Sequence, residues 1–203
     1  MKQLVMASAL AGLLLSLGAP GAQAAQVFSE NFDTTATGTF NALSAVGNFS
    51  LTSGSVDVLG GSFFGSLCTG STTGNCVDLS GNSAGSLSSG VLSLNAGNYT
   101  LAFVLNGSQR GVPTSATVSL GSVFTQTYSL ASADLNSFSI AIAVPANTTG
   151  VLSFVSNTPG GTGAILDNVS LNSITGVPEP ATMGLLGSAL LGLGFLKFRS
   201  KKS

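Results

Sequence analysis

Six carboxylates are the side chains best suited to chemistry in the long central part of this 203-residue chain. Between positions 26 and 176 they are Glu30, Asp33, Asp57, Asp78, Asp134 and Asp167. Glycoside hydrolysis requires two carboxylates about 5–10 Å apart. Asp57 and Asp78 each lie in a short run of valine and leucine, which predicts that neighbouring strands bring them together. The favoured interpretation is that both acids keep turns or sheet edges soluble.

The missing residue types limit the catalytic chemistry. The chain contains no histidine, which excludes a Ser-His-Asp triad, a Cys-His dyad and every histidine-ligated metal site. It also contains no tryptophan, the side chain that offers the best stacking platform for a sugar ring. We therefore expect a non-catalytic protein. The alternative is a secreted hydrolase or lyase that acts on polysaccharide through Asp57 and Asp78.

Arg110 is the only basic residue between positions 26 and 176, where one base and six acids give a net charge of −5. A surface with one cation cannot neutralise several phosphates, so nucleic acid is excluded as a partner. Two interpretations of Arg110 remain. Its guanidinium group binds a carboxylate on a ligand such as an acidic sugar, or it forms an internal ion pair with one of the six acids, which is the favoured interpretation.

Cys68 and Cys76 are the only two cysteines, and they flank a polar loop of seven residues. In an exported protein this spacing predicts a disulfide that closes the loop, which stabilises the fold by about 2–3 kcal/mol in the chain-entropy account. A nucleophilic cysteine is the alternative. It would lack a histidine or a neighbouring cation to lower its pKa.

Residues 26–176 have the pattern of one all-β domain. Eleven short runs of alternating or β-branched residues, from Val27–Phe32 to Ala164–Ile174, are separated by clusters of Gly, Ser, Asn and Asp. This pattern predicts an antiparallel β-sandwich. Residues 33–47 are expected to form a long loop with little core. Phe63 and Phe64 lie in a glycine-flanked loop, where we expect them to plug the core rather than form an exposed contact patch.

The N-terminus has the three parts of a secretory signal peptide. Lys2 precedes an apolar run, Leu4–Leu17, and the run is followed by Ala22-Gln23-Ala24. We expect cleavage after Ala24 or Ala25, so that residues 1–24 form the signal peptide. The other interpretation of this segment is a permanent membrane anchor, but the apolar run is too short for one.

The C-terminus has a second tripartite signal. Its motif consists of Val177, Pro178, Glu179 and Pro180. An uncharged Leu- and Gly-rich stretch, Ala181–Leu196, follows, and the chain ends in a basic tail. As a helix the stretch would be about 24 Å long. We expect it to cross the inner membrane with its basic tail in the cytoplasm, which places the central domain on the export side.

This combination of a V-P-E-P motif, a short apolar helix and a basic tail resembles the PEP-CTERM sorting signal of Gram-negative bacteria over residues 177–203. The resemblance implies recognition by an exosortase, which removes the tail near the motif, in a host that makes extracellular polysaccharide. After processing, the protein would be at the cell surface or secreted, associated with exopolysaccharide and biofilm. A plain C-terminal anchor that is never cut is the alternative.

A second resemblance concerns residues 25–176. Ser29-Glu30-Asn31-Phe32-Asp33 near the start and Ala164–Leu171 near the end resemble the galactose-binding-like jelly rolls of carbohydrate-binding modules. The resemblance implies a jelly-roll β-sandwich whose first and last strands pair. It also implies that Glu30 and Asp167 help to hold a structural calcium ion, with backbone carbonyls as the remaining ligands. The alternative to a calcium site is that Asp167 caps a turn and that Glu30 is exposed to solvent.

Overall fold

The computed structural model describes residues 24–70 and 74–174, and Ala24–Thr175 form one compact unit. The described residues of this unit form thirteen strands and one short 3-10 helix. The strands are β1 (Ala24–Glu30), β2 (Gly38–Asn41), β3 (Ala45–Val46), β4 (Phe49–Ser53), β5 (Ser55–Leu59), β6 (Cys76–Asp78), β7 (Ser86–Leu94), β8 (Gly97–Asn106), β9 (Thr114–Leu120), β10 (Phe124–Leu130), β11 (Ser137–Val144), β12 (Thr148–Ser156) and β13 (Ile165–Ile174), and the 3-10 helix is Gly65–Leu67.

The strands form two antiparallel sheets. Sheet A has the order β11-β8-β13-β6-β5-β2, and β1 also pairs with β13. Sheet B has the order β10-β9-β12-β7-β4-β3. One edge of β13 is shared between two partners, because β6 pairs with its first residues and β1 with its later ones. A register shift in β13 between Asp167 and Ser170, with Asn168 at φ 50°, lies where the partner strand changes.

Alternation along the strands explains the core. In β8, Leu101, Phe103 and Leu105 are buried in the core between the sheets. Phe103 stacks edge-on against Phe154 of sheet B, with ring centroids 5.3 Å apart. Such pairs prefer this T-shaped arrangement and add about 0.5–1.5 kcal/mol to the free energy of burial. Period-two patterning therefore fixes which face of each strand enters the core.

A smaller apolar cluster lies on the outer face of sheet A. Leu59, Cys76 and Ile165 are buried there, and Phe63, Leu67 and Cys68 pack against them. The predicted Cys68–Cys76 disulfide is present. It connects the 3-10 helix segment to the start of β6. The loop after β5 therefore covers part of the sheet rather than extending into solvent.

The prediction of an all-β, antiparallel jelly-roll β-sandwich is confirmed. The expectation of a long loop at residues 33–47 is wrong, because β2 and β3 lie within it. Val46 is fully buried and Phe40 packs against the core. Both strands are short edge strands, so a single apolar residue on each is sufficient and no alternating run is visible in the sequence.

The signal peptide, the V-P-E-P motif and the expected flanking helices lie outside the described residues. Within residues 24–70 and 74–174, no helix has the length and apolar character needed to span a membrane.

Candidate functional site

Asp57 and Asp78 are neighbours, as the sequence predicts. They lie directly opposite each other on β5 and β6. Their chain neighbours Val56, Val58 and Val77 belong to the core, so both carboxylates emerge on the outer face of sheet A. Asp57 is half-buried, and its Oδ1 accepts a 2.7 Å hydrogen bond from the hydroxyl of Thr39 on β2.

Asp78 is fully buried, so its interpretation as an acid that keeps a turn or sheet edge soluble is wrong. Hydrogen-bond donors surround its carboxylate. Its Oδ1 accepts hydrogen bonds from the backbone N–H groups of Ser80 at 2.9 Å and Gly163 at 2.7 Å. Its Oδ2 accepts one from Nη2 of Arg110. Both oxygens are therefore engaged, and a substrate cannot reach this carboxylate without displacing one of these donors.

The favoured interpretation of Arg110 is confirmed, because it forms an internal ion pair with Asp78. Its Nη1 donates a 3.0 Å hydrogen bond to the carbonyl of Gly161. Its guanidinium carbon lies 6.0 Å from the centroid of the Phe64 ring, at the outer limit of a cation–π contact. Arg110 thus joins three loops, while its side chain keeps 30% of its surface exposed.

The two neighbouring phenylalanines behave differently. Phe63 packs against the small cluster under the disulfide loop, as expected of a plug. For Phe64 that expectation is wrong: its residue is 57% exposed, and its backbone has φ 53° in the left-handed region. That conformation is uncommon for a bulky residue. It turns the ring outward, toward Arg110.

The environment of Asp78 shifts its ionisation. Burial raises the pKa of Asp78 from 3.8 to about 6. The Ser80 N–H, the Arg110 guanidinium and the Gly163 N–H oppose this shift, and the charge of Asp57 adds to it. A raised pKa in a closed, hydrogen-bonded position fits a structural ion pair, because a general acid must also reach its substrate.

Glu30 lies at the end of β1 and lines an open, polar cavity of about 800 Å³. It is only 8% exposed, so its interpretation as a solvated acid is wrong. Its Oε1 accepts a hydrogen bond from the N–H of Phe32 at 2.6 Å, and its Oε2 from the N–H of Asn48 at 2.5 Å. The second bond reaches the turn between β3 and β4, so Glu30 links the two sheets.

This link depends on a residue that the sequence argument missed. Gly47 has φ 58°, and a Cβ atom there would collide with the Glu30 carboxylate. Glycine is therefore required both by the backbone angle and by the close approach. The Gly47-Asn48 turn gives a sequence signal for tight geometry, but not for which acid it contacts.

Asp167 is fully buried in β13, and its Oδ1 accepts a hydrogen bond from the N–H of Asn168 at 2.7 Å. The first and last strands pair, as the jelly-roll resemblance implies, and Glu30 lies opposite Val169. This pairing brings Glu30 to within two positions of Asp167 along β13. Two buried carboxylates near one strand junction fit a cation in charge and burial. Within residues 24–70 and 74–174, no group of three or more acidic or cysteine side chains converges, so any calcium ion would need carbonyl ligands too.

The comparisons with known proteins concern the two parts of the chain separately. Residues 176–201 match the model of the PEP-CTERM protein-sorting motif, so the chain carries this signal. The motif implies processing by an exosortase and points to export and sorting to the cell surface in Gram-negative bacteria. A search of curated proteins found no match.

The β-sandwich is similar to solved structures at the level of the fold. The CBM22-1 xylan-binding domain of Paenibacillus barcinonensis Xyn10C superposes with a TM-score of 0.50 at 10% identity, covering 76% of this chain and 97% of that one. CBM35 from Cellvibrio japonicus Abf62 has a TM-score of 0.43 at 11% identity, covering 73% and 95%. The K3 cleaved adhesin domain of Lys-gingipain from Porphyromonas gingivalis has a TM-score of 0.43 at 15% identity, covering 74% and 99%.

Proposed function

We propose that this protein is an exported, non-catalytic component of the cell surface or extracellular matrix, associated with exopolysaccharide and biofilm. The observation that carries the proposal is the sorting motif at residues 176–201, attached to a domain with a jelly-roll fold. Exosortase is the processing partner, and the inner membrane holds the chain before processing. Extracellular polysaccharide is the partner of the released domain.

The arrangement of the acids supports a non-catalytic role. The alternative, a hydrolase or lyase, would use Asp57 and Asp78. Asp78 is held by two backbone N–H groups and by Arg110, and it is fully buried. A carboxylate in that position serves the packing of three loops better than the attack on a glycosidic bond.

Processing can be tested directly by mass spectrometry of the extracellular protein. We expect the N-terminus to lie at Ala25 or one residue later, and the C-terminus to lie near Pro180. Recovery of chains that still end at Ser203 would contradict sorting by cleavage. The E179Q variant is the matched test, since it removes the charge between the two prolines and leaves the rest of the motif intact.

Polysaccharide association can be tested by affinity electrophoresis of the extracellular protein through gels that contain the exopolysaccharide of the host. We expect retardation at both low and high salt, since a domain with a charge of −5 gains little from ionic contacts. Equal mobility with and without polysaccharide would contradict the proposal. D57N is a control for the outer face of sheet A: unchanged retardation would remove Asp57 as a contact.

A structural calcium ion held by Glu30 and Asp167 belongs to the same proposal. When bound, it would neutralise buried negative charge where β1 meets β13. We expect calcium to raise the melting temperature of the wild-type protein and EDTA to lower it. The E30Q variant should lose this response. If neither calcium nor EDTA changes the melting temperature of the wild-type protein, Glu30 and Asp167 are not calcium ligands.

A further inference from the structure

The outer face of sheet B is free of charge. None of the six described strands β3, β4, β7, β9, β10 and β12 contains an acidic or basic residue. Their core-facing positions carry residues such as Leu87, Val118 and Phe154, while the alternate positions carry mainly serine and threonine. A sheet face of this size is usually kept soluble by charges. Here hydroxyl groups take their place.

The register aligns these hydroxyls in rows across the sheet. One row runs through five consecutive strands as Thr125, Ser119, Ser153, Ser88 and Ser50. The adjacent row has hydroxyls at Thr127, Thr117 and Ser86, and the apolar Val155 lies between Thr117 and Ser86. Each position in a row is directly opposite the next, so the backbones of neighbouring positions are separated by the strand spacing of about 4.8 Å. The rows themselves lie about 6.8 Å apart, since two residues separate them along each strand.

Two pairs of these hydroxyls are already ordered by hydrogen bonds within the face. Ser119 and Ser153 share a hydrogen bond of 2.7 Å between their Oγ atoms, and Thr117 and Thr127 share one of 2.9 Å. A hydroxyl group has one donor and two acceptor sites, so each of them retains capacity for a ligand outside the sheet. The face therefore presents a fixed array of donors and acceptors, and little side-chain entropy is lost on binding because serine and threonine side chains are short.

The shape and chemistry of this array match an extended sugar polymer. The strand spacing is close to the length of one residue in an extended β-linked glycan, whose own hydroxyls are also donors and acceptors. Two residues beyond Thr117 and Thr127 along β9 and β10, the opposed pair Ser115 and Ser129 borders an open depression of about 570 Å³ whose wall includes Pro113 and Pro159. Proline rings give an apolar surface beside the polar rows, which suits the mixed character of a sugar ring.

We propose that the hydroxyl rows on the outer face of sheet B bind a neutral, extended β-linked polysaccharide, laid across the strands. The inference rests on the proposed association with exopolysaccharide, and it adds the site and the class of glycan. An acidic glycan is disfavoured, because the face offers no cation and the domain around it is net negative. Binding is multivalent and weak per sugar, since no aromatic platform lies in the rows.

The test is affinity electrophoresis of the full chain in gels containing hydroxyethyl cellulose as the neutral probe or alginate as the acidic one. We expect the wild-type protein to be retarded by hydroxyethyl cellulose and not by alginate. The S88K and S153K variants place a charged, long side chain in the middle of the first row. Each should weaken retardation by about tenfold or more, because the lysine head must be desolvated under the glycan.

The matched control is S139K, which makes the same substitution on β11 at an exposed position of the outer face of sheet A. It should bind like the wild type. If S139K and S153K weaken retardation equally, or if neither weakens it, the proposed site is overturned. The association with polysaccharide would remain intact in both cases. Retardation by alginate alone would overturn the class of glycan, and no retardation of the wild type by either probe or by the host exopolysaccharide would overturn both proposals.

Discussion

Sheet A and sheet B share one hydrophobic core but carry different chemistry on their outer faces. Sheet A contains Glu30, Asp57, Asp78 and Asp167 on its strands, and three of them are buried under loops or at a strand junction. The strands of sheet B contain no charged residue. On the described strands, buried charge is therefore confined to sheet A, while the outer face of sheet B is uncharged.

This difference has an energetic meaning. A buried carboxylate is tolerated in the fold only while its donors remain in place, because an unpaired buried charge carries a large desolvation penalty. Surface hydroxyls make bonds that water can replace at little loss. We therefore expect substitutions on the outer side of sheet A to act on stability and substitutions on the outer side of sheet B to act on binding.

The largest effect is expected for R110M. It removes the cation beside Asp78 and leaves a fully buried carboxylate with only two backbone donors. We expect the free energy of unfolding at pH 7 to fall by about 3 kcal/mol, at the low end for a broken buried pair because Arg110 is partly exposed. Urea unfolding measures this.

The control for R110M is the double variant D78N/R110M, in which neither charge is buried alone. It should recover most of the loss. If the double variant is as unstable as R110M, the ion pair does not account for the effect, and the difference between the sheets would have to come from the packing of Arg110 against Phe64.

Removal of the disulfide is expected to have the next largest effect. The C68S/C76S variant opens a loop whose two cysteines are eight positions apart, and the chain-entropy account predicts a loss of about 2–3 kcal/mol. The loop packs on Leu59 and Ile165, so near-ultraviolet changes from Phe63 should accompany the loss. Thermal unfolding with and without reductant checks the wild type, and an unchanged melting temperature would show that packing alone holds the loop.

The response to pH should follow Asp78. Its pKa is raised to about 6 in the folded state, against 3.8 without burial, so the folded protein binds the proton more tightly than the unfolded chain. The stabilising contribution of protonation is complete below about pH 4 and is lost as the pH rises through 6. We expect the free energy of unfolding to fall by about 1–3 kcal/mol across this window. The D78N variant should lack this dependence on pH. If the free energy of unfolding depends on pH in the same way in D78N and in the wild type, another group is responsible for it.

The smallest effect is expected on sheet B. The S153A and S88A variants remove hydroxyls from the first row without burying or exposing charge. Each should change the free energy of unfolding by less than about 0.5 kcal/mol, as is usual for surface positions. A loss of more than 1 kcal/mol in chemical denaturation would mean that the rows serve the fold, and the contrast with sheet A would disappear.

Local pattern was sufficient to predict the sandwich and several of its strands. The alternation around Leu101 and Phe103 gives β8, and the same pattern gives β11. Asp57 and Asp78 could be predicted as neighbours because their strands, β5 and β6, follow each other in the chain. The short edge strands β2 and β3 were missed, since edge strands need few apolar residues.

Long-range contacts could not be predicted in the same way. The scarcity of cations predicts that Arg110 has an internal partner. The identity of that partner cannot be predicted, because Arg110 lies in a loop 32 positions after Asp78 in the chain. The bond from Asn48 to Glu30 and the rows on sheet B both require the registers of non-consecutive strands. Register follows from the packing of the whole core, which no single segment encodes.

The pairing of the first and last strands has a mechanical consequence. Ala24 lies opposite Ile174, so the two ends of the sandwich leave it side by side. β13 is hydrogen-bonded to β8 along one edge and to β6 and β1 along the other. A force applied to the domain at Ile174 therefore pulls on an internal strand. Two ladders of hydrogen bonds resist this force in shear at the same time. An edge strand such as β2 would instead lose its hydrogen bonds one residue at a time.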